Sequence, residues 1–232
     1  MQSLKYIINQ SKNNILMKSL YLLTALAAFN LVAAQKTINL EPFKSLTVGE
    51  DMKVELLKSN ENKLVITNDD EDEEVTVENV GGLLILRVDD SNVTLYYKDN
   101  LEAIIAGEDA AISGKDEIKA KEFKLVAGAD AIVHLNLNVQ KLFTVASDDA
   151  VVTLTGKATD HNAVLKDDAV LKGTDLLTVN TVIKLSADAV ATITTKGTVN
   201  AEAGEDALLK IFGNPKTVNK STGEDGSIVV VN

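Results

Sequence analysis

The side chains able to do chemistry in this chain are almost all carboxylates, and they recur. Gly107-Glu108-Asp109-Ala110, Gly128-Ala129-Asp130-Ala131, Ser147-Asp148-Asp149-Ala150, Lys166-Asp167-Asp168-Ala169, Ser186-Ala187-Asp188-Ala189, Gly204-Glu205-Asp206-Ala207 and Gly223-Glu224-Asp225-Gly226 share one pattern. The repeated acid falls at Asp109, Asp130, Asp149, Asp168, Asp188, Asp206 and Asp225, in steps of 18 to 21 residues. Two chemistries suit such acids. A pair of carboxylates can serve as acid and base in glycoside hydrolysis, but such a pair is a single distinctive one at a cleft. Acids repeated in every unit mark the architecture instead. Stacked carboxylates can also hold Ca²⁺, which prefers oxygen ligands, so Ca²⁺ is the one cofactor the ladder could recruit. The simpler reading is a solvated turn that keeps the protein soluble, and the nonapeptide of calcium-binding β-rolls is absent.

The remaining chemistry is sparse. His134 and His161 are the only histidines. They fall at different phases of the repeat, His134 in a strand pattern and His161 in a linking stretch, and both read as surface or strand residues. Neither has a Cys partner or a metal-ligand spacing. There is no Cys and no Trp, the only Arg is Arg87, and Tyr96-Tyr97 is the sole adjacent aromatic pair, one member of which is expected in the core. Gly81-Gly82 reads as a hairpin turn rather than a phosphate cradle. No nucleophile with an assignable base is present. The sequence therefore assigns no catalytic residue, no cofactor-binding residue and no metal ligand, and the chain is read as not an enzyme.

The elements that must position these acids are strands. Val, Ile, Leu and Thr are frequent, aromatics are 4% of residues, and no segment after residue 34 shows a 3.6-residue period. One short β-rich segment leads into each acidic turn, as at 142–146, and another leaves it, as at 150–154. Two or three short strands per 19 residues suit one coil of a parallel β-solenoid, each coil stacked about 4.8 Å from the next. Equivalent residues should then form ladders. The residue after the repeated Asp is Ala in six copies and Gly in the seventh, as expected for a tight inward corner. Two residues on stand Ile112, Val133, Val152, Leu171, Ala191, Leu209 and Ile228, an aliphatic core column. The phase extends back through Asp51, Asp69-Asp70 and Asp89-Asp90, which predicts ten coils and a rod of roughly 48 Å. A two-layer antiparallel β-sandwich is the alternative.

Charge and the N-terminus bear on location. Residues 1–34 carry Lys5, Lys12 and Lys18 and no acid, and without them the chain has 20 basic and 34 acidic residues, a charge of −14. Such a surface repels nucleic acid and anionic membranes. Lys18, the apolar run from Leu20 to Ala28, and Val32-Ala33-Ala34 before Gln35 read as a secretory signal peptide spanning 17–34. Residues 1–16 read as an upstream extension, and 35–232 as a single solenoid domain. With no Cys near the cleavage point, the exported chain is not expected to be a lipoprotein.

The order of elements resembles the head GIN domain family, whose description is a putative auto-transporter adhesin. The likeness rests on Pro42-Phe43-Lys44-Ser45-Leu46-Thr47-Val48, the strand from Met52 to Leu57, the Gly81-Gly82-Leu83-Leu84-Ile85 hairpin and the later turns, over about residues 39–230. This chain departs from the family's Gly-Ser-Gly turns, carrying Gly-Glu-Asp or Asp-Asp instead. The resemblance implies a right-handed parallel β-helix in a Gram-negative envelope and no enzyme activity. The expected function is an exported structural or adhesion-type binding module, periplasmic, outer-surface or secreted. The alternatives are a carbohydrate-active β-helix enzyme and a Ca²⁺-stabilised acidic spacer. The expected partner is an envelope protein or glycan, with neither nucleic acid nor membrane insertion, and exposed end coils could join copies of the chain.

Overall fold

A computed structural model of the chain describes residues 36–67, 76–87 and 92–231. The expected signal peptide and upstream extension lie outside the described residues, as do the acids at 69–70 and 89–90. The described part is all strand and turn, joined in one sixteen-stranded sheet. The strands are β1 (Lys36–Asn39), β2 (Ser45–Val48), β3 (Lys53–Lys58), β4 (Lys63–Ile66), β5 (Thr76–Val80), β6 (Leu83–Arg87), β7 (Asn92–Tyr97) and β8 (Ala103–Ala106). They continue as β9 (Ala111–Ala127), β10 (Ile132–Ala146), β11 (Val151–Leu165), β12 (Val170–Leu185), β13 (Val190–Ala203), β14 (Leu208–Phe212), β15 (Thr217–Thr222) and β16 (Ser227–Val230).

From β8 onward each coil pairs in parallel with the next, forming a β-solenoid of about seven turns. Parallel pairing throughout this stack rules out the antiparallel sandwich. The aliphatic column forms as expected. Ile112, Val133, Val152, Leu171, Ala191, Leu209 and Ile228 are in register from coil to coil, and all are buried. The six corner alanines are fully buried. At the seventh corner, a Cβ on Gly226 would collide with the Ala203 carbonyl oxygen, which explains why even Ala is absent there.

The expectation of ten coils in chain order fails at the N-terminal end. Asp51 is stacked directly on the 107–110 turn, with its N–H donating to the Glu108 carbonyl at 3.0 Å. The coil built from β6 and β7 packs on the other side, where β6 pairs in parallel with β2 and β7 with β3. Beyond it the chain reverses: β5 is antiparallel to β6, β4 to β7, and β1 to β4. The strands β1 to β7 therefore form a mixed cap. Gly81 and Gly82, at φ 61° and 85°, close the β5–β6 hairpin as expected, because a two-residue hairpin turn of this kind needs positive φ at both positions. The far end has a different device. Lys220 continues the core column of Ile183 and Ala201, and its Nζ lies 3.5 Å from the Ile228 carbonyl oxygen. A charge in a core column opposes further strand addition at an open edge.

Midway between acidic turns each long strand bends. In β11 the inward residues are Val152, Leu154 and Ala158, and then His161, Ala163 and Leu165. Two successive outward residues, Thr159 and Asp160, shift the alternation by one. The bend starts at Gly156, at φ 96°, where an added Cβ would fall on the Leu137 carbonyl oxygen of the coil beneath. Gly156→Ala is expected to cost about 3 kcal/mol, through a disfavoured φ and a backbone collision. Urea unfolding of the variant checks this, and an unchanged midpoint would contradict the account of the bend.

Candidate functional site

The repeated acids sit where the sequence places them, on one corner of the rod, and their backbone explains them. The third-position residues Asp51, Asp109, Asp130, Asp149, Asp168, Asp188, Asp206 and Asp225 all adopt φ between 53° and 61°. Left-handed backbone is costly for most L-residues, and Asp and Asn tolerate it best after Gly. At four corners the preceding residue is left-handed too: Asp148, Asp167, Ala187 and Glu205, at φ 50–53°. These are the φ signs of type I′ turns, and the other corners have those of type II. In the seven turns from 107–110 to 223–226, the fourth residue donates its N–H to the first residue's carbonyl at 3.1–3.4 Å.

The central peptide of each turn lies along the rod axis. The Asp N–H donates to the carbonyl of the residue just before the Asp in the next coil, at 2.8–3.0 Å for Asp51, Asp109, Asp130, Asp149, Asp168 and Asp188. Asp206 continues the chain to Glu224 at 3.4 Å. Hydrogen bonding between coils thus runs unbroken through the corner, where peptide groups would otherwise need water or side chains. The Asp side chains are exposed. Among the described residues, no three His, Cys, Asp or Glu side chains converge on a metal-sized site.

The two histidines part company. His134 is exposed on β10. His161 is in neither a linking stretch nor the surface: it lies in β11, 1% exposed, in the core column between Leu142 and Thr181. Its Nε2 is 3.0 Å from Thr144 Oγ1, and its Nδ1 has no partner. Burial pushes its pKa down to about 4. Beside it, the buried hydroxyls of Thr178, Thr181 and Thr195 bond one another at 2.7–2.8 Å, and Thr178 is also 3.0 Å from the Thr194 carbonyl oxygen. No repeat signal marked this polar seam, because its phase depends on the bend after Gly156. Tyr97 is the core member of the tyrosine pair. Burial, and then the Asp116 charge, push its hydroxyl up to about 12.

The family model described as "Putative auto-transporter adhesin, head GIN domain" matches residues 42–215. The chain belongs to that family. A crystal structure of a putative adhesin from Bacteroides fragilis NCTC 9343 matches with a TM-score of 0.74 at 16% identity, covering 85% of this chain and 96% of that one. A putative adhesin from Parabacteroides merdae ATCC 43184 matches at TM-score 0.68 and 14% identity, covering 86% and 96%. A putative lipid binding protein from Parabacteroides distasonis ATCC 8503 matches at TM-score 0.64 and 12% identity, covering 85% and 96%. At these identities the likeness is one of fold. A comparison with curated proteins finds no match.

The buried histidine makes stability depend on pH. Its folded pKa, about 4, lies below the ordinary 6.5, so the unfolded chain takes up the proton first. Stability from this group is full above pH 6.5 and is lost as pH falls toward 4, by roughly 2–3 kcal/mol at pH 4.5. His161→Leu should remove that component. The stability difference between variant and parent, measured by denaturant unfolding, should shift by that amount between pH 7 and 4.5. A pH-independent difference would contradict a buried neutral imidazole.

Proposed function

We propose that the protein is an exported, non-catalytic module of the cell envelope that works by adhesion-type binding. The observation that carries this reading is membership of an adhesin-described family over residues 42–215. The surface suits the role. On one side of the acidic corner Ile105, Val126, Val145 and Val164 stack in register on the outer face. On the other side Ile132, Val151, Val170, Val190 and Leu208 do the same. Ile105, Ile132 and Val145 are 42–46% exposed. Stripes of this kind on flat, fully hydrogen-bonded faces present a rigid, extended surface to a partner, and preorganisation of that kind lowers the entropic cost of binding.

The reading supplies one experiment with two readouts. Expressed in a Gram-negative host, the chain should be recovered from the envelope or medium with Gln35 at its N-terminus by mass spectrometry. Beads coated with it should bind glycan- or protein-coated surfaces saturably, leaving the glycans intact. Retention in the cytoplasm with residues 1–34 attached would contradict export. New reducing ends in the bound glycan would contradict a non-catalytic role.

A further inference from the structure

Midway between acidic turns three lysines, Lys119, Lys121 and Lys157, line one hollow. A trough of about 550 Å³ runs there across several coils. Its floor is Ala120, Val139 and Ala158, stacked in register. One wall is the column Lys119, Asn138, Lys157, and Lys121, Gln140 and Thr159, each one residue past the floor, line the other. Asn100 closes one end, and Leu177 and Val179 line the other. No acid lines the trough, in a chain whose formal charge is −11. A second hollow of about 560 Å³ shares Asn100, Ala120 and Lys121 and is lined also by Lys124 and by two acids, Glu102 and Glu122.

Two of the three lysines in the trough, Lys121 and Lys157, have no ion pair among the described residues. Lys119 pairs with Glu117 at 3.1 Å. Hydrogen bonds from Lys119 and Asn138, with the nearby charge of Lys157, hold the Glu117 carboxyl below its usual range. One carboxylate thus faces two ammonium groups. The acidic corner is nine or ten residues away along each strand, as from Asp149 to Ala158, roughly 30 Å of strand, which is several times the screening length at physiological salt.

We propose that this trough binds a linear carboxylated polysaccharide of the polyuronate type, an inference that rests on the adhesion reading and gives it a ligand class. Three features favour this occupant. The floor is small-residue and smooth, so a thin chain can lie along it. Beneath the floor β9, β10 and β11 are already paired with one another, so recognition there falls to ammonium, amide and hydroxyl groups that match carboxylates and hydroxyls. These donors also repeat at the coil spacing of about 4.8 Å, whereas an extended peptide presents side chains on one face about every 6.7 Å. The shorter residue spacing of a linear polysaccharide keeps closer step with the coils.

Isothermal titration of the whole chain with oligogalacturonate tests this, using fully methyl-esterified oligogalacturonate and poly-glutamate as controls. Binding of the acid form should weaken as NaCl rises. The ester and poly-glutamate should bind at least tenfold more weakly. The double variant Lys121→Gln/Lys157→Gln should lose at least tenfold in affinity with an unchanged melting curve, since both side chains are exposed. Equal binding of the ester, equal binding by the variant, or no binding of the acid form overturns the proposal, and equal binding of poly-glutamate makes the trough a site for acidic peptides instead. If oligogalacturonate fails while coated beads still adhere, the trough proposal falls and the adhesion reading stands. If the beads also fail, both fall.

Discussion

The structure depends on a single peptide group per coil, the one between the third-position Asp and the residue before it. Standing along the rod axis, it accepts from the coil on one side and donates to the coil on the other. A solenoid gains its stability from stacking, and a corner is where stacking is hardest, because the chain must turn sharply without leaving polar groups unpaired. Left-handed backbone at the Asp meets both demands. Each corner can then hold the following residue inward, and that fixes the alternation of the next strand and, through it, the aliphatic column. The register of the core follows from the corner.

This gives the acidic ladder a cause other than chemistry. Gly, Asn and Asp are the residues that enter left-handed backbone at least cost. Gly would add chain entropy to be lost on folding, while Asp keeps the corner solvated. The drawback is electrostatic, since neighbouring carboxylates about 5 Å apart repel by about 0.8 kcal/mol per pair in water. Exposure of every corner Asp among the described residues keeps that penalty small. Ala187, left-handed with neither a polar side chain nor the freedom of Gly, shows that the backbone demand persists where charge is absent.

Much of the fold was legible because the repeat is strict. The corner alanines and the column from Ile112 to Ile228 follow from counting along the chain. The N-terminal order was not legible, because Asp51, Asp70, Asp90 and Asp109 are evenly spaced in sequence whatever the spatial order of their segments. A period cannot tell a coil that stacks forward from a strand that turns back. His161 was misplaced for a local reason: two consecutive outward residues, Thr159 and Asp160, reverse the parity, and only the bend reveals it. The trough had a faint signal in the lysines and amides midway between turns, which no motif collected. Its meaning needed the register that brings Lys119, Asn138 and Lys157 into one column.

The central claim is that the repeated Asp serves backbone conformation before charge. The most direct measurement is the unfolding free energy of two triple variants, Asp149→Asn/Asp168→Asn/Asp188→Asn and Asp149→Ala/Asp168→Ala/Asp188→Ala. The account predicts that the Asn variant matches or exceeds the parent, because it keeps the left-handed backbone and removes like-charge repulsion. The Ala variant should lose about 3 kcal/mol, roughly 1 kcal/mol per corner. Equal losses in both variants would contradict the account, because the carboxylate charge itself would then be what the corner requires.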